Sequence, residues 1–109
     1  MVDCYNLVAF KDDCFFGVVN VRWYMGRSNS ASVVHCTVWV YGPGIYTSGY
    51  GQAGGYGYCK RSQAFAEALE SAGVKLSHRI GGAGMGRVRE ALEALGRFFG
   101  FDKFTIIEN

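Results

Sequence analysis

The chain has 109 residues, of which 50% are hydrophobic and 18% are charged. This length fits one small domain, because two separate cores would each bury too little surface to offset their chain entropy. The composition excludes a disordered tail and an acidic mimic of DNA. Eleven basic residues against nine acidic ones give a net charge of +2, which indicates no nucleic-acid binding without local clustering.

The cysteines are widely separated and form no C-x-x-C pair, so the sequence predicts no structural zinc site. No secretory signal pattern and no apolar run of the ~20 residues that span a bilayer is found. We therefore expect a protein of the cytoplasm, without membrane association, whose reduced cysteines pack as small hydrophobic residues. The residues that could serve as soft ligands for a metal ion are Cys4, Cys14, Cys36, Cys59, His35 and His78.

Residues 3–10 and 14–27 are rich in β-branched and aromatic side chains. The polar segment 11–13 between them predicts a turn, and hence an antiparallel hairpin. Gly17 is a candidate β-bulge. Asn20 and Arg22 share one face of the second strand, which predicts that the even-numbered side is the more solvated one.

Residues 31–41 alternate most clearly, with valines and Cys36 on the predicted core face. His35 and Trp39 lie on the other face, where His35 is either a hydrogen-bonded sheet residue or part of an aromatic binding surface. The turn 42–44 precedes a fourth strand, residues 45–52, in which Gly49 and Gly51 permit close approach of another backbone.

The period changes to that of a helix after Ser62, which is a good N-cap, and Gly73 is a good C-terminal stop. Residues 74–79 form a connector or a short strand. A second amphipathic helix follows residues 81–84 and ends at Gly100, and residues 104–107 form a closing strand. The predicted fold is α+β, an antiparallel sheet of about five strands with two helices on one face, in the order ββββααβ.

Two glycine-rich segments resemble anion-binding loops. Residues 49–54 spell G-x-G-x-x-G, but they follow antiparallel hairpins, whereas a dinucleotide site requires a parallel βαβ unit. Gly84, Gly86 and Arg87 lie at a helix start, where free backbone N–H groups can hold an anion. The alternatives for this second segment are a flexible helix entry and a tight contact between helix and sheet.

Tyrosines and basic residues cluster around the start of the first helix, and arginines near the second helix join them if both helix starts lie at one end of the sheet. Such a surface suits base stacking with phosphate contacts, or a protein interface. A third possibility is that the tyrosines only fill a twisted sheet. The candidate partner-binding residues are Tyr50, Tyr56, Tyr58, Lys60, Arg61, Arg79, Arg87 and Arg89, with Tyr46 nearby.

The catalytic inventory is small. Asp12 and Asp13 lie in a turn and the Glu67/Glu70 pair lies on a helix surface, so neither pair has an acid/base signature. Cys59 comes closest to a nucleophile because adjacent cations would lower its pKa, but it has no assigned base. We expect no enzyme activity, no cofactor and no metal.

Residues 53–62, AGGYGYCKRS, followed by an alanine-rich helix, resemble a segment of small phage and prophage proteins in which Gly-Tyr-Asp-Lys precedes that helix. Tyr58 and Lys60 match, whereas Cys59 replaces the acid. The segment G-x-G-x-G-R-V at 82–88 resembles the helix entry of a small type I anti-CRISPR protein with an antiparallel sheet and two helices. The resemblance implies a phage-encoded inhibitor that binds a host defence complex where target DNA would bind.

The leading hypothesis is a non-enzymatic inhibitor in the bacterial host cytoplasm that binds a CRISPR effector or another defence protein. The second is a nucleic-acid or nucleotide-binding module that uses Tyr56, Tyr58, Lys60, Arg61 and Arg87. A small enzyme based on Cys59, or a protein that sequesters a nucleotide signal, is the third. Whether the protein is a monomer or a homodimer stays open at this stage.

Overall fold

The computed structural model describes residues 2–28, 31–54, 58–74 and 85–107, with side chains for 4–26, 32–54, 60–74 and 92–107. The described residues form five strands and two helices, which confirms the α+β fold and the order ββββααβ. The elements are β1 (Val2–Lys11), β2 (Cys14–Ser28), β3 (Ala31–Gly42), β4 (Ile45–Gly54), α1 (Tyr58–Ser71), α2 (Met85–Phe99) and β5 (Lys103–Ile107).

All strand pairs are antiparallel, and the strand order in the sheet is β4-β3-β2-β1-β5. Successive hairpins therefore place β1 to β4 side by side, and β5 returns after the helices to pair with β1. The predicted turn between β1 and β2 is confirmed. Asp12 and Asp13 both adopt left-handed backbone angles, with φ of 50° and 62°, as a tight two-residue hairpin turn requires.

The bulge in β2 lies one residue earlier than predicted. Gly17 pairs with Ala9, and the extra residue is Phe16, because Phe15 pairs with Phe10. The bulge turns Phe16 toward the core, where its ring lies 5.8 Å from that of Phe101, and leaves Phe15 exposed. Strand alternation across residues 15 and 16 is thus reversed relative to the expectation, while from Val18 onward the even-numbered side is the more solvated one, as predicted.

Helix α1 begins five residues earlier than the N-cap at Ser62 predicts. Ser62 is not its N-cap but a fully buried residue within the helix, because α1 starts at Tyr58. Gly73 ends the helix as expected, with φ of 92°. Its N–H donates to the carbonyl of Glu70, and the N–H of Val74 donates to that of Leu69, which forms a Schellman motif.

Gly49 and Gly51 of β4 lie directly beneath α1. A Cβ atom at Gly49 would lie 2.0 Å from the carbonyl oxygen of Ala68, and one at Gly51 would lie 2.4 Å from that of Ala64. The predicted close approach of another backbone is therefore confirmed. Gly49 and Gly51, the G-x-G part of residues 49–54, let α1 pack closely on β4. Their presence at these positions is therefore explained without phosphate binding.

The core lies between the sheet and the helices. It combines odd-numbered side chains of β1 and β2 and even-numbered ones of β3 with Phe65 and Leu69 of α1 and Leu92 and Leu95 of α2. Trp23 fixes α1 to the sheet, since its indole N–H donates to the carbonyl of Arg61 at 3.0 Å. Both helices therefore occupy the same side of the sheet. The predicted stop at Gly100 is also observed, with φ of 96°.

The cysteines do not behave alike. Cys36 is fully buried in the core, Cys4 is half-buried and Cys14 is exposed, and all three are free thiols. The expectation that every cysteine packs in the core is wrong for Cys14, which lies exposed at the end of the β1–β2 turn, and for Cys4, which lies on the side of the sheet away from the core. The side chain of Cys59, and the predicted connector at residues 75–79, lie outside the described residues.

Neither helix within the described ranges is long and apolar enough to cross a membrane.

Candidate functional site: the open face of the sheet

The side of the sheet opposite the helices is exposed, and we call it the open face. Apart from Val33, which is buried, every described side chain on it is half-buried or exposed. Strand register defines its members, because directly paired residues of antiparallel strands lie on the same side. They are Cys4, Asn6, Val8, Phe10, Phe15, Val18, Asn20, Arg22, Tyr24, Val33, His35, Thr37, Trp39, Tyr41, Tyr46, Ser48, Tyr50, Gln52, Lys103, Thr105 and Ile107.

None of the described side chains on the open face is acidic, and one of them is an unpaired cation. Arg22 lies in its centre, between Cys4 and Thr37, and makes no ion pair with any residue that the structure describes. Lys103 lies at the edge and contacts Asp13 of the β1–β2 turn at 2.9 Å. Both of those side chains are largely exposed, so this ion pair contributes little to stability.

Acidic side chains collect elsewhere, in a groove between β5 and α2. Asp13, Glu93 and Asp102 line this groove together with Lys103 and phenylalanine side chains. The Asp102 carboxylate also accepts a hydrogen bond from the Asp12 backbone at 3.3 Å. The protein therefore separates charge spatially, with its described acids beside β5 or on α1 and an acid-free open face.

Three rings form a stack across one end of the open face. His35 stacks on Tyr24 with ring centroids 4.8 Å apart and an interplanar angle of 12°, and on Tyr50 at 5.8 Å and 29°. The Tyr50 hydroxyl contacts Nδ1 of His35 and donates to Oε1 of Gln52 at 3.3 Å. Desolvation raises the pKa of the Tyr50 hydroxyl, and nearby Tyr24 and Glu67 raise it further.

A second aromatic group lies at the other end of β3 and β4. Tyr41 and Tyr46 pair directly and meet edge to face, with centroids 5.2 Å apart. Tyr46 is 73% exposed, although it lies within the ordered edge strand β4. Trp39, which pairs with Asn20 and Ser48, lies between the two groups. Rigid, amphipathic rings of this kind dominate binding interfaces.

Amide groups occupy the part of the open face that lacks aromatics. Asn20 donates through Nδ2 to Oδ1 of Asn6 and to Sγ of Cys4, the latter at 3.2 Å. These side chains are half-buried and fixed by one another, so they offer oriented polar groups beside the aromatic residues. A surface of fixed rings, amides and one free guanidinium suits binding of a macromolecule.

Of the predicted contact residues with described side chains, Tyr50 lies on the opposite side of the sheet from Lys60 and Arg61. Tyr50 lies on the open face, 44% exposed, at the edge formed by β4. Lys60 and Arg61 lie in the first turn of α1, which packs against the opposite side of the sheet. The sheet therefore stands between Tyr50 and this basic pair.

The remaining predicted residues are only partly described. Tyr56, Arg79 and Gly84 lie outside the described residues. Tyr58 begins α1, and Gly86, Arg87 and Arg89 lie in the first two turns of α2, but their side chains are also outside the described set. The helix start predicted beside Gly86 and Arg87 is present, and whether it binds an anion remains a prediction.

Sequence reasoning missed Arg22, Tyr24 and Trp39 as candidate contact residues. The signal for them was the strand alternation, which placed Arg22 and Tyr24 on a solvated face and His35 and Trp39 on an amphipathic one. That pattern could not show that β2, β3 and β4 are adjacent, with their wet faces aligned.

No group of three or more His, Cys, Asp or Glu side chains within the described ranges could hold a metal ion. Burial raises the pKa of the Cys36 thiol, so it is kept as a protonated core residue.

Comparison with protein-family models, with curated proteins and with solved structures finds no match. The functional argument therefore depends on the geometry of the open face.

Proposed function

We propose that this protein is a non-enzymatic binding protein that docks its open face onto another protein. The observation that carries this proposal is an ordered sheet face without described acidic side chains, on which the unpaired Arg22 lies next to the stacked rings of Tyr24 and His35. Tyrosine, tryptophan and arginine are the residues that supply most binding energy at protein interfaces. A five-stranded sheet held by a packed core presents them with little conformational entropy left to lose.

The partner class that we propose is a bacterial defence complex, with a CRISPR effector as the first candidate. The support is the resemblance of residues 53–62 to small phage proteins and of residues 82–88 to a type I anti-CRISPR protein. An inhibitor of this kind acts by stoichiometric binding, which needs a surface rather than a catalytic centre.

The test is binding of the purified protein to a purified type I CRISPR effector complex, with the same complex preloaded with target DNA as the matched control. The proposal predicts binding to the free complex and weaker binding to the loaded one, because target DNA and inhibitor compete. Expression in a CRISPR-active host should restore phage plaquing. No binding to the free complex, together with no rescue of plaquing, would reject this partner.

A second candidate function is single-stranded nucleic-acid binding, and the Tyr24–His35–Tyr50 stack beside Arg22 favours it specifically. Bases stack on such rings, and a guanidinium contacts phosphate. Fluorescence anisotropy with labelled oligo(dT) at low salt tests this function, and affinity should fall as salt rises. An unchanged anisotropy at low salt would exclude it, whereas salt-insensitive capture of a protein would favour the first proposal.

A further inference from the structure

The two edges of the sheet differ in how they are covered. At the β4 edge, α1 packs against the strand and the Tyr50 backbone N–H donates to Oγ of Ser71 at 3.3 Å. At the opposite edge, β5 pairs with β1 on its inner side, and no described element pairs with its outer side. An uncovered edge strand has free N–H and C=O groups that can pair with another strand.

The side chains of β5 favour such pairing. Ile106 is 39% exposed and Ile107 is 49% exposed, and they lie on opposite sides of the sheet. The strand has no proline and no bulge, and its single charge, Lys103, lies at one end in contact with Asp13. Proteins that keep a sheet edge unpaired often place a proline, a bulge, charged side chains or a very short strand there. Of these protective features, β5 has only Lys103 and its short length.

We propose that β5 pairs antiparallel with β5 of a second copy of this chain and forms a homodimer. An antiparallel pair centred on Thr105 places Phe104 opposite the second copy's Ile106 on the helix side. It places Lys103 opposite the second copy's Ile107 on the open face. Aromatic and β-branched residues paired across strands are stabilising, so the strand is complementary to itself.

The dimer has a two-fold axis perpendicular to the sheet, so it is closed and the same surface is used by both copies. Two five-stranded sheets join into one continuous sheet. Both open faces then lie on the same side and form a single, larger surface. This inference depends on the β5 edge and not on the proposed function of the open face.

The test is the molar mass of the intact protein by light scattering on a sizing column, measured over a range of concentrations. The proposal predicts a shift from monomer toward dimer mass as concentration rises, because a pairing of five-residue strands is weak. A monomer mass at every concentration would overturn it and would leave β5 free for a strand from a different protein.

Charge variants at Ile107 test the register. Ile107→Lys places a lysine opposite the second copy's Lys103 and should abolish the dimer, whereas Ile107→Glu places opposite charges together and should retain it. The double variant Lys103→Glu, Ile107→Lys should restore the dimer. If Ile107→Glu dissociates the dimer as Ile107→Lys does, the proposed pairing is wrong.

An open-face variant separates edge pairing from face-to-face association. Arg22→Glu lies away from β5 and should leave the dimer mass unchanged. A monomer mass for Arg22→Glu, with an unchanged circular dichroism spectrum, would place the second copy on the open face and overturn the edge proposal.

Discussion

The imidazole of His35 stacks on the ring of Tyr24, with centroids 4.8 Å apart and planes inclined by 12°. The two residues face one another across the β2–β3 pair, so their contact follows directly from the strand register. His35 is therefore both a packed sheet residue and part of an aromatic surface, and the two interpretations of it from the sequence are compatible. The same register aligns Arg22 with Thr37 and Asn20 with Trp39, and thereby builds the open face.

Gly51→Ala should destabilise the protein by about 3 kcal/mol, because a methyl group there would overlap the α1 backbone. The new Cβ would lie 2.4 Å from the carbonyl oxygen of Ala64 and 2.5 Å from the backbone nitrogen of Ala68. Urea denaturation followed by circular dichroism measures this loss. Gly54→Ala in the same strand is the matched control, since no atom lies within 4 Å of a Cβ at Gly54. Equal stability of the two variants would contradict the close packing of α1 on β4.

Trp23→Phe should lower the free energy of unfolding by about 1–2 kcal/mol, through loss of a buried hydrogen bond and of packing volume. The Trp23 indole donates to the Arg61 carbonyl and its ring packs edge to face against Phe65, with centroids 5.7 Å apart. Thermal and urea unfolding measure the change. Trp39→Phe, on the open face, serves as the control and should cost clearly less. A larger cost at Trp39 would argue against the assignment of the two faces.

Because Cys36 is buried, we expect the free energy of unfolding to depend on pH above neutrality. Burial raises the pKa of its thiol in the folded state, so on raising the pH the unfolded chain loses this proton first, near its ordinary pKa of about 8.5. Below that pH both the folded and unfolded states keep the thiol proton, so the contribution of Cys36 to the free energy of unfolding is fully present. Above it, stability falls by up to about 1.4 kcal/mol per pH unit. Denaturation of the wild type and Cys36→Ala at several alkaline pH values isolates the effect, and a constant difference between them would contradict burial of the thiol.

Tyr46→Ser should change stability by less than about 0.5 kcal/mol, because the ring is 73% exposed and packs mainly on the edge of Tyr41. Thermal unfolding measures this directly. The variant is valuable because a loss of binding without a loss of stability would assign Tyr46 to the interface. A cost of several kcal/mol would show that Tyr46 is part of the packing instead.

The sequence was sufficient to predict the fold because its signals are local and strong. Alternation in residues 31–41, the Asp12–Asp13 turn and the stops at Gly73 and Gly100 each determine an element without distant contacts. The start of α1 was misplaced because Ser62 is a favourable N-cap in isolation, while burial against the sheet decides its real position inside the helix. The bulge was displaced to Phe16 because it lets that ring pack against Phe101, a contact distant in sequence.

The candidate site was less predictable, because it depends on which side of the sheet the helices cover. Tyr50 was grouped with Lys60 and Arg61 because they are close in sequence. However, β4 and α1 pack against one another, so the side chains that each exposes to solvent point in opposite directions. Gly49 and Gly51 draw α1 onto one side of β4 and leave Tyr50 on the other. Arg22 joined the surface only through the pairing of β2 with β3.

The most direct test of the open face compares two double variants in quantitative pull-downs from a host lysate. Arg22→Glu with Tyr50→Ala alters the open face, whereas Lys60→Ala with Arg61→Ala alters α1 on the other side. We predict that the open-face variant loses the partner that the wild type captures and that the α1 variant retains it, both with unchanged unfolding temperatures. Loss of the partner only in the α1 variant, with retention in the open-face variant, would contradict the assignment of the open face as the docking surface.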